Sequence, residues 1–216
     1  LLVKKLSKFS VILTGAFIGL AGVLLMLAGN PSNMGLCIAC FIRDTAGALK
    51  LHSAPVVQYA RPETMGLILG SFIISLITKE FRARGGSSPL TRFVIGFMVM
   101  IGALVFLGCP LRMVLRMAAG DLNAWIGLIG FVLGVYLGSL FLKSGFSLGR
   151  TYKLNPLEGA IVPALQIPLF IMLALASPLL AFSEAGPGSM HASIWIALGA
   201  SLLLGALAQR SRICQA

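Results

Sequence analysis

Asn30-Pro31-Ser32-Asn33-Met34-Gly35-Leu36-Cys37-Ile38-Ala39-Cys40-Phe41-Ile42-Arg43-Asp44 follows an apolar run and is itself too apolar for a solvated loop. It is also too short and broken to cross a bilayer, which asks for about 20 predominantly apolar residues per helix. A second segment of the same kind follows the third apolar run: Gly108-Cys109-Pro110-Leu111-Arg112-Met113-Val114-Leu115-Arg116-Met117-Ala118-Ala119-Gly120-Asp121. Both read as re-entrant half-helices, over 31–50 and 109–120. Pro110 suits a first helical turn, where its missing N–H costs nothing, and Gly120 suits a helix stop. Cys109 then falls at or near an N-cap. Irregular backbone at membrane depth is tolerated only where protein buries it or where it lines a cavity. Half-helix N-termini in such a cavity present unpaired N–H groups and the positive end of the helix dipole, which suits an anionic substrate. Cys37 and Cys109 therefore stand where a thiol can meet an anion.

The rest of the chain sets these breaks in a membrane. Of 216 residues, 58% are apolar and 11% charged, against about 25% charged in a soluble domain. With a mean hydropathy of +0.98, a soluble globule is excluded. Six apolar runs lie near 9–29, 64–79, 92–108, 122–142, 161–181 and 192–208, the second and third slightly short, so that their ends extend into flanking residues or lie buried in protein. Lys4, Lys5 and Lys8 precede the first run, but no small-residue cleavage site follows it, so it is not read as a signal peptide. Small residues at four-residue spacing let helices approach closely in lipid; Gly15 and Gly19, Gly66 and Gly70, and Gly130, Gly134 and Gly138 are expected to form seams of a bundle.

Seventeen Lys plus Arg against six Asp plus Glu give a net charge of +11. These cations are spread thinly between apolar runs, so the charge reads as membrane topology and lipid contact, not nucleic-acid binding. Lys4, Lys5, Lys8, Lys79, Arg82, Arg84, Arg92, Lys143, Arg150, Lys153, Arg210 and Arg212 fall at alternate connections. Arg43, Lys50, Arg61, Arg112 and Arg116 lie on the opposite side. Both ends of this chain then face the cytoplasm, in a multi-pass protein of the inner (plasma) membrane. Four Cys make no dense disulfide framework, and two His leave little material for a metal site. No metal and no cofactor are expected.

Leu204-Gly205-Ala206-Leu207-Ala208-Gln209-Arg210-Ser211-Arg212-Ile213-Cys214 has an apolar span, a short polar break and then a Cys, as does the first span with Cys37. The two breaks are five spans apart, so a second copy must be inverted, and inverted repeats with broken helices are a transporter signature. The expected organisation is a cytoplasmic segment 1–8, a first repeat 9–142, a linking region 143–191 with the span 161–181, and the start of a second repeat at 192–216. A chain that begins at Leu1 and stops directly after an apolar run is expected to be a fragment. The fold class is an all-α polytopic membrane protein with re-entrant half-helices in an inverted-repeat transporter architecture.

Gly35-Leu36-Cys37 with Arg43-Asp44, Gly108-Cys109 after an apolar span, and Arg210-Ser211-Arg212-Ile213-Cys214 together resemble the YeeE/YedE sulfur-transport family over essentially the whole chain, as its first half and the start of its second. The extended stretches Asn33 to Asp44 and Gly108 to Asp121 look most like the YedE-like branch associated with selenium metabolism. The resemblance implies import of thiosulfate or a similar sulfur or selenium anion, passed between central cysteines by transient thiol hydrogen bonds, with Cys37, Cys109 and Cys214 as the transporting residues. It also implies a cytoplasmic protein that receives the imported sulfur or selenium. Pro110 directly after Cys109, and the extra Cys40, depart from the common pattern.

Two functions of different class follow. In the first, a non-enzymatic transporter, Arg112 and Arg116, four apart on one helix face, draw an anion inward or contact lipid headgroups. Arg43 and Asp44 pair with each other or with neighbouring half-helices, because an ionisable group near the membrane is costly unless partnered. In the second, Cys37-x-x-Cys40 is the redox pair of a membrane thiol-disulfide oxidoreductase. Such enzymes usually need a second reactive pair, and Cys109 and Cys214 are isolated from one another, which favours transport.

Overall fold

The computed structural model describes residues 8–32, 34–106, 108–147 and 149–211. Its elements follow in chain order: α1 (Lys8–Leu27), α2 (Ile38–Ala48), α3 (Pro62–Ile77), β1 (Arg84–Gly86), α4 (Pro89–Val105), α5 (Pro110–Ala118), α6 (Leu122–Lys143), β2 (Thr151–Lys153), α7 (Pro156–Ala174) and α8 (Ile194–Ser211). The stretches Pro89–Ala118, Leu122–Lys143, Pro156–Ala174 and Ile194–Ser211 are long and apolar enough to cross a membrane, and Ile12–Leu27 and Pro62–Ile77 are shorter apolar helices. The chain is an all-α polytopic membrane protein. Each expected apolar run contains a helix, and α2 and α5, of 11 and 9 residues, occupy the two expected breaks. At 1.5 Å per residue they reach only about 16 and 13 Å, about half of a bilayer core.

Helix limits follow from local chemistry. The helices α1, α2, α3, α5, α6 and α7 close with a left-handed residue, at Gly29, Lys50, Lys79, Gly120, Gly145 and Ala176. Around each, paired backbone bonds such as Ser177 N–H to Met172 O (2.9 Å) and Ala176 N–H to Leu173 O (3.0 Å) satisfy the last carbonyls. α7 begins and ends earlier than the expected 161–181. The Asn155 side chain accepts the Leu157 N–H at its start, and Pro178 lies just beyond its end, where no helix can continue.

Two compact units share the chain: Leu1–Leu36, Phe41–Phe81 and Ala160–Ala216 form one, Cys37–Cys40 and Arg82–Gly159 the other. In the first, α3 packs along α8, and α1 also touches α8. Gly70 is required at this seam, because a Cβ there would collide with the Leu202 carbonyl. The short α3, about 24 Å long, buries Pro62, Glu63, Met65, Gly66, Gly70 and Ser75. In the second unit α5 packs on α6. Neither spanning element there has a soluble-type core face: among the described residues α4 buries none of its side chains and α6 only Ala124. A helix apolar all round needs lipid or protein on every side.

Two expectations are corrected. Gly66 and Gly70 form a seam, but a Cβ on Gly15, Gly19, Gly130, Gly134 or Gly138 would meet nothing within 4 Å. Four-residue glycine spacing permits close approach without supplying the partner. The antiparallel ribbon β1–β2, with Arg84 opposite Lys153 and Gly85 opposite Tyr152, was not anticipated. It is too short for an alternating pattern to be visible, and the Tyr152 ring lies where a side chain at position 85 would stand.

Candidate functional site

Cys37 directly precedes α2, and Cys109 is the N-cap of α5 with Pro110 in the first turn. The Cys40 N–H donates to Cys37 Sγ at 3.4 Å, the bond an N-cap side chain makes to its third helical residue. Cys37 Sγ lies 2.8 Å from Cys40 Sγ, and Cys109 neighbours Cys37. Cys109 makes no side-chain capping bond at the start of α5. Arg112 Nη1 donates to Cys40 Sγ at 3.2 Å. Cys37 and Cys40 are buried, Cys109 is half-buried, and all three are free thiols.

Two helix starts thus face one cluster of sulfur atoms beside a guanidinium. The helix dipoles and the arginine make the position electropositive, and thiols are weak donors that hold a passing group loosely. The site suits a small anion with a soft atom. Among the described residues no group of three or more His, Cys, Asp or Glu side chains is placed to hold a metal ion.

A family model described as sulphur transport matches residues 3–137, more than half of the chain. The chain belongs to the sulphur transport family. Comparison with curated proteins and with solved structures gave no match. The stretch matched to the sulphur transport family contains Cys37, Cys40, Cys109 and Arg112 and ends within α6. Membership makes the chain a membrane-embedded sulfur transporter with a small sulfur-containing substrate.

The other candidates of this sulphur transport protein have partners of their own. Arg43 Nη2 and Arg61 Nη2 pair with Asp44 at 2.7 and 2.9 Å, and the Asp44 and Arg61 side chains are fully buried. Arg116 Nη2 pairs with Asp121 at 2.6 Å, its Nη1 donates to the Phe106 carbonyl at 2.7 Å, and the guanidinium lies over the Phe106 ring. Cys214 lies outside the described residues.

Reading the sequence missed the polar interior of the first unit. Arg61 donates to Asp44, to Met190 O at 3.1 Å and to Pro187 O at 2.7 Å, while Asn30 links Glu63 to the Ala192 N–H. Tyr59 stacks on His191 with ring centroids 4.2 Å apart. Burial, and next the Glu63 carboxylate, push the Tyr59 hydroxyl up to about 12, against the opposing pull of Arg61. One signal was available: Arg61-Pro62-Glu63 sets two opposite charges at the head of an apolar run, where each needs a partner.

Proposed function

We propose that the protein imports a thiosulfate-like sulfur anion, or its selenium counterpart, along a path on which Cys37, Cys109 and Cys214 are successive weak contacts. The observation that carries this reading is the meeting of the Cys37 and Cys109 thiols at the starts of two short helices. Conduction needs sites attractive enough to enter and weak enough to leave, and thiols beside positive helix ends offer both. Arg112 supplies attraction. Arg116, engaged by Asp121, supports the turn between α5 and α6, and Arg43 and Asp44 support α2. The extended stretches around Cys37 and Cys109 favour the selenium-associated branch.

The family match ends close to residue 142, which supports 9–142 as a first repeat, 143–191 as a link and 192–216 as the start of an inverted second repeat. The protein is placed in the inner membrane with both ends of this chain cytoplasmic, in contact with lipid, and it hands its substrate to a cytoplasmic carrier. The test is uptake of labelled thiosulfate by cells lacking other importers and expressing the full-length protein, with selenite and sulfate as competitors. Uptake blocked by thiosulfate alone assigns sulfur, selective inhibition by selenite assigns selenium, and no uptake of any labelled anion rejects transport through this site.

The 2.8 Å contact of Cys37 and Cys40 favours a second reading, a membrane thiol-disulfide oxidoreductase. Cys40→Ser separates the two: it abolishes thiol exchange and leaves transport largely intact.

A further inference from the structure

The β1–β2 ribbon carries charge that the fold does not use. Its strands run antiparallel, with Arg84 opposite Lys153, Gly85 opposite Tyr152 and Gly86 opposite Thr151. The Ser87 N–H donates to the Arg150 carbonyl at 3.0 Å and the Leu154 N–H to the Ala83 carbonyl at 3.1 Å. Hydrogen-bonded pairs therefore fall at 87/150 and 83/154 and, by alternation, at 85/152. Arg84 and Lys153 are then a non-hydrogen-bonded pair, the kind whose side chains stand closest, with Cβ atoms about 5 Å apart on one face. Both residues are exposed, and among the described residues neither side chain has a hydrogen bond or an ion pair. The acids of this unit are Asp121, which Arg116 engages, and Glu158. The Arg92 guanidinium packs against Gly86 and donates to the Ser87 carbonyl at 3.2 Å, so it is bound into the fold and the site is assigned to the other two cations.

Successive side chains of a strand alternate between faces. On the face opposite the cations, the Tyr152 ring and Leu154 cover Gly85, where a Cβ would meet Tyr152 Cε2 at 2.7 Å and Leu154 Cδ1 at 3.1 Å. A tyrosine beside an apolar surface with cations behind it suits the headgroup level of a bilayer. The depth agrees: Pro89, the first residue of α4, is three residues past Gly86, so the ribbon ends within about 11 Å of a membrane-crossing helix. Leu90 and Phe93 in the first turns of α4 are exposed, as at a helix end surrounded by lipid. Like charges directly opposite one another destabilise a ribbon. A phosphate between them reverses the sign of that interaction, with the guanidinium fork and the ammonium both donating charge-assisted hydrogen bonds to its oxygens.

We propose that the β1–β2 ribbon is a binding site for an anionic phospholipid, its phosphate held between Arg84 and Lys153 and its acyl chains lying along the apolar start of α4. The inference goes beyond the transport reading and stands whether or not that reading holds.

The test titrates dioctanoyl phosphatidylglycerol into the full-length protein in a neutral detergent and takes Kd from the rise in unfolding temperature. Dioctanoyl phosphatidylcholine and inorganic phosphate are the parallel probes. Phosphatidylglycerol protects saturably, and the other two do not. Arg84→Gln and Lys153→Gln each raise Kd at least about tenfold, the scale of a charge-assisted hydrogen bond, whereas Lys153→Arg stays within about threefold. Lys143→Gln, which removes the same charge from the end of α6, stays within about twofold, because a single exposed charge away from the site contributes little. Without lipid, Arg84→Gln unfolds at the wild-type temperature or above it, since it removes a repulsion. Equal protection by inorganic phosphate overturns the lipid assignment. A loss in Lys143→Gln as large as in Arg84→Gln reduces the effect to general surface charge and overturns the site. A lipid-free Arg84→Gln that unfolds at a lower temperature shows that the pair serves the fold, which also overturns it. Absence of saturable protection by phosphatidylglycerol leaves this face to an acidic protein and overturns the proposal.

Discussion

Asp44 sits one helical turn after Cys40 on α2, yet its work is structural. Its side chain is fully buried and pairs with both Arg43 and Arg61. Removing one partner of a buried pair leaves an uncompensated charge and costs about 3–5 kcal/mol. Arg61→Met should therefore lose most of the folded protein, measured by size-exclusion of a fluorescent fusion. Arg43→Met, at a side chain 21% exposed to solvent, should lose much less, since water can replace that contact; equal losses would refute the ranking. Cys109→Ala belongs to the opposite class. It removes a half-buried thiol whose sulfur makes no capping bond, so insertion and folded yield should stay near wild type while thiosulfate uptake falls at least about tenfold. An active Cys109→Ala protein would remove this residue from the path. Cys37 and Cys109 were legible in the sequence because each lies where apolar periodicity breaks. The Asp44–Arg61 bond and the Arg112–Cys40 contact were not, since partners 17 and 72 residues apart leave no local pattern.

Among the elements, α3 and α6 show how much of a membrane helix composition determines. Their existence follows from apolar length, and helix stops at Gly120 and Gly145 follow from left-handed residues. Which face meets a neighbour does not, because glycine spacing reads alike on the packed α3 and on the open side of α6. The contrast is measurable. Gly70→Ala drives a methyl group into the α8 backbone and should lower the unfolding temperature. Gly134→Ala meets open space and should be neutral or stabilising by up to about 1 kcal/mol, the helix preference of alanine over glycine. A similar shift in both would show that the α3–α8 seam is not as tight as described. The start of α6 carries a pH-dependent contact. Asp121 accepts Arg116 Nε at 2.7 Å and the Asn123 N–H at 2.9 Å, and chiefly the Arg116 guanidinium holds its carboxyl below the usual 3.8. Folding favours the charged form, so the contribution is complete above 3.8 and is lost as pH falls through the lower folded value. The unfolding temperature of wild type should drop through that acid window, and Asp121→Asn should drop less. Parallel curves would show that this carboxylate does not couple to folding.

At the scale of the whole molecule, the distribution of charge argues for one orientation. Arg82, Arg84, Arg92, Lys143, Arg150 and Lys153 cluster at the connections between α3 and α4 and between α6 and α7, and Arg84 faces Lys153 directly across the β ribbon. Like charges opposite one another weaken a ribbon, so this pairing is better placed against an anionic surface. Of the five cations on the other side, Arg43, Arg61 and Arg116 are spent on carboxylates inside the fold, and Lys50 reaches the Pro178 carbonyl. Those positions are explained by folded contacts, so the proposed orientation rests on the remaining cations. It has six apolar helices crossing and both ends of this chain on one side. Fluorescent-protein fusions at the two ends and in the 144–150 connection should be bright, whereas alkaline phosphatase should be active only when inserted at 53–56 or 184–189. Phosphatase activity at either end would invert the arrangement, and the start of α5 would then face the cytoplasm, making export the direction of thiol-guided movement.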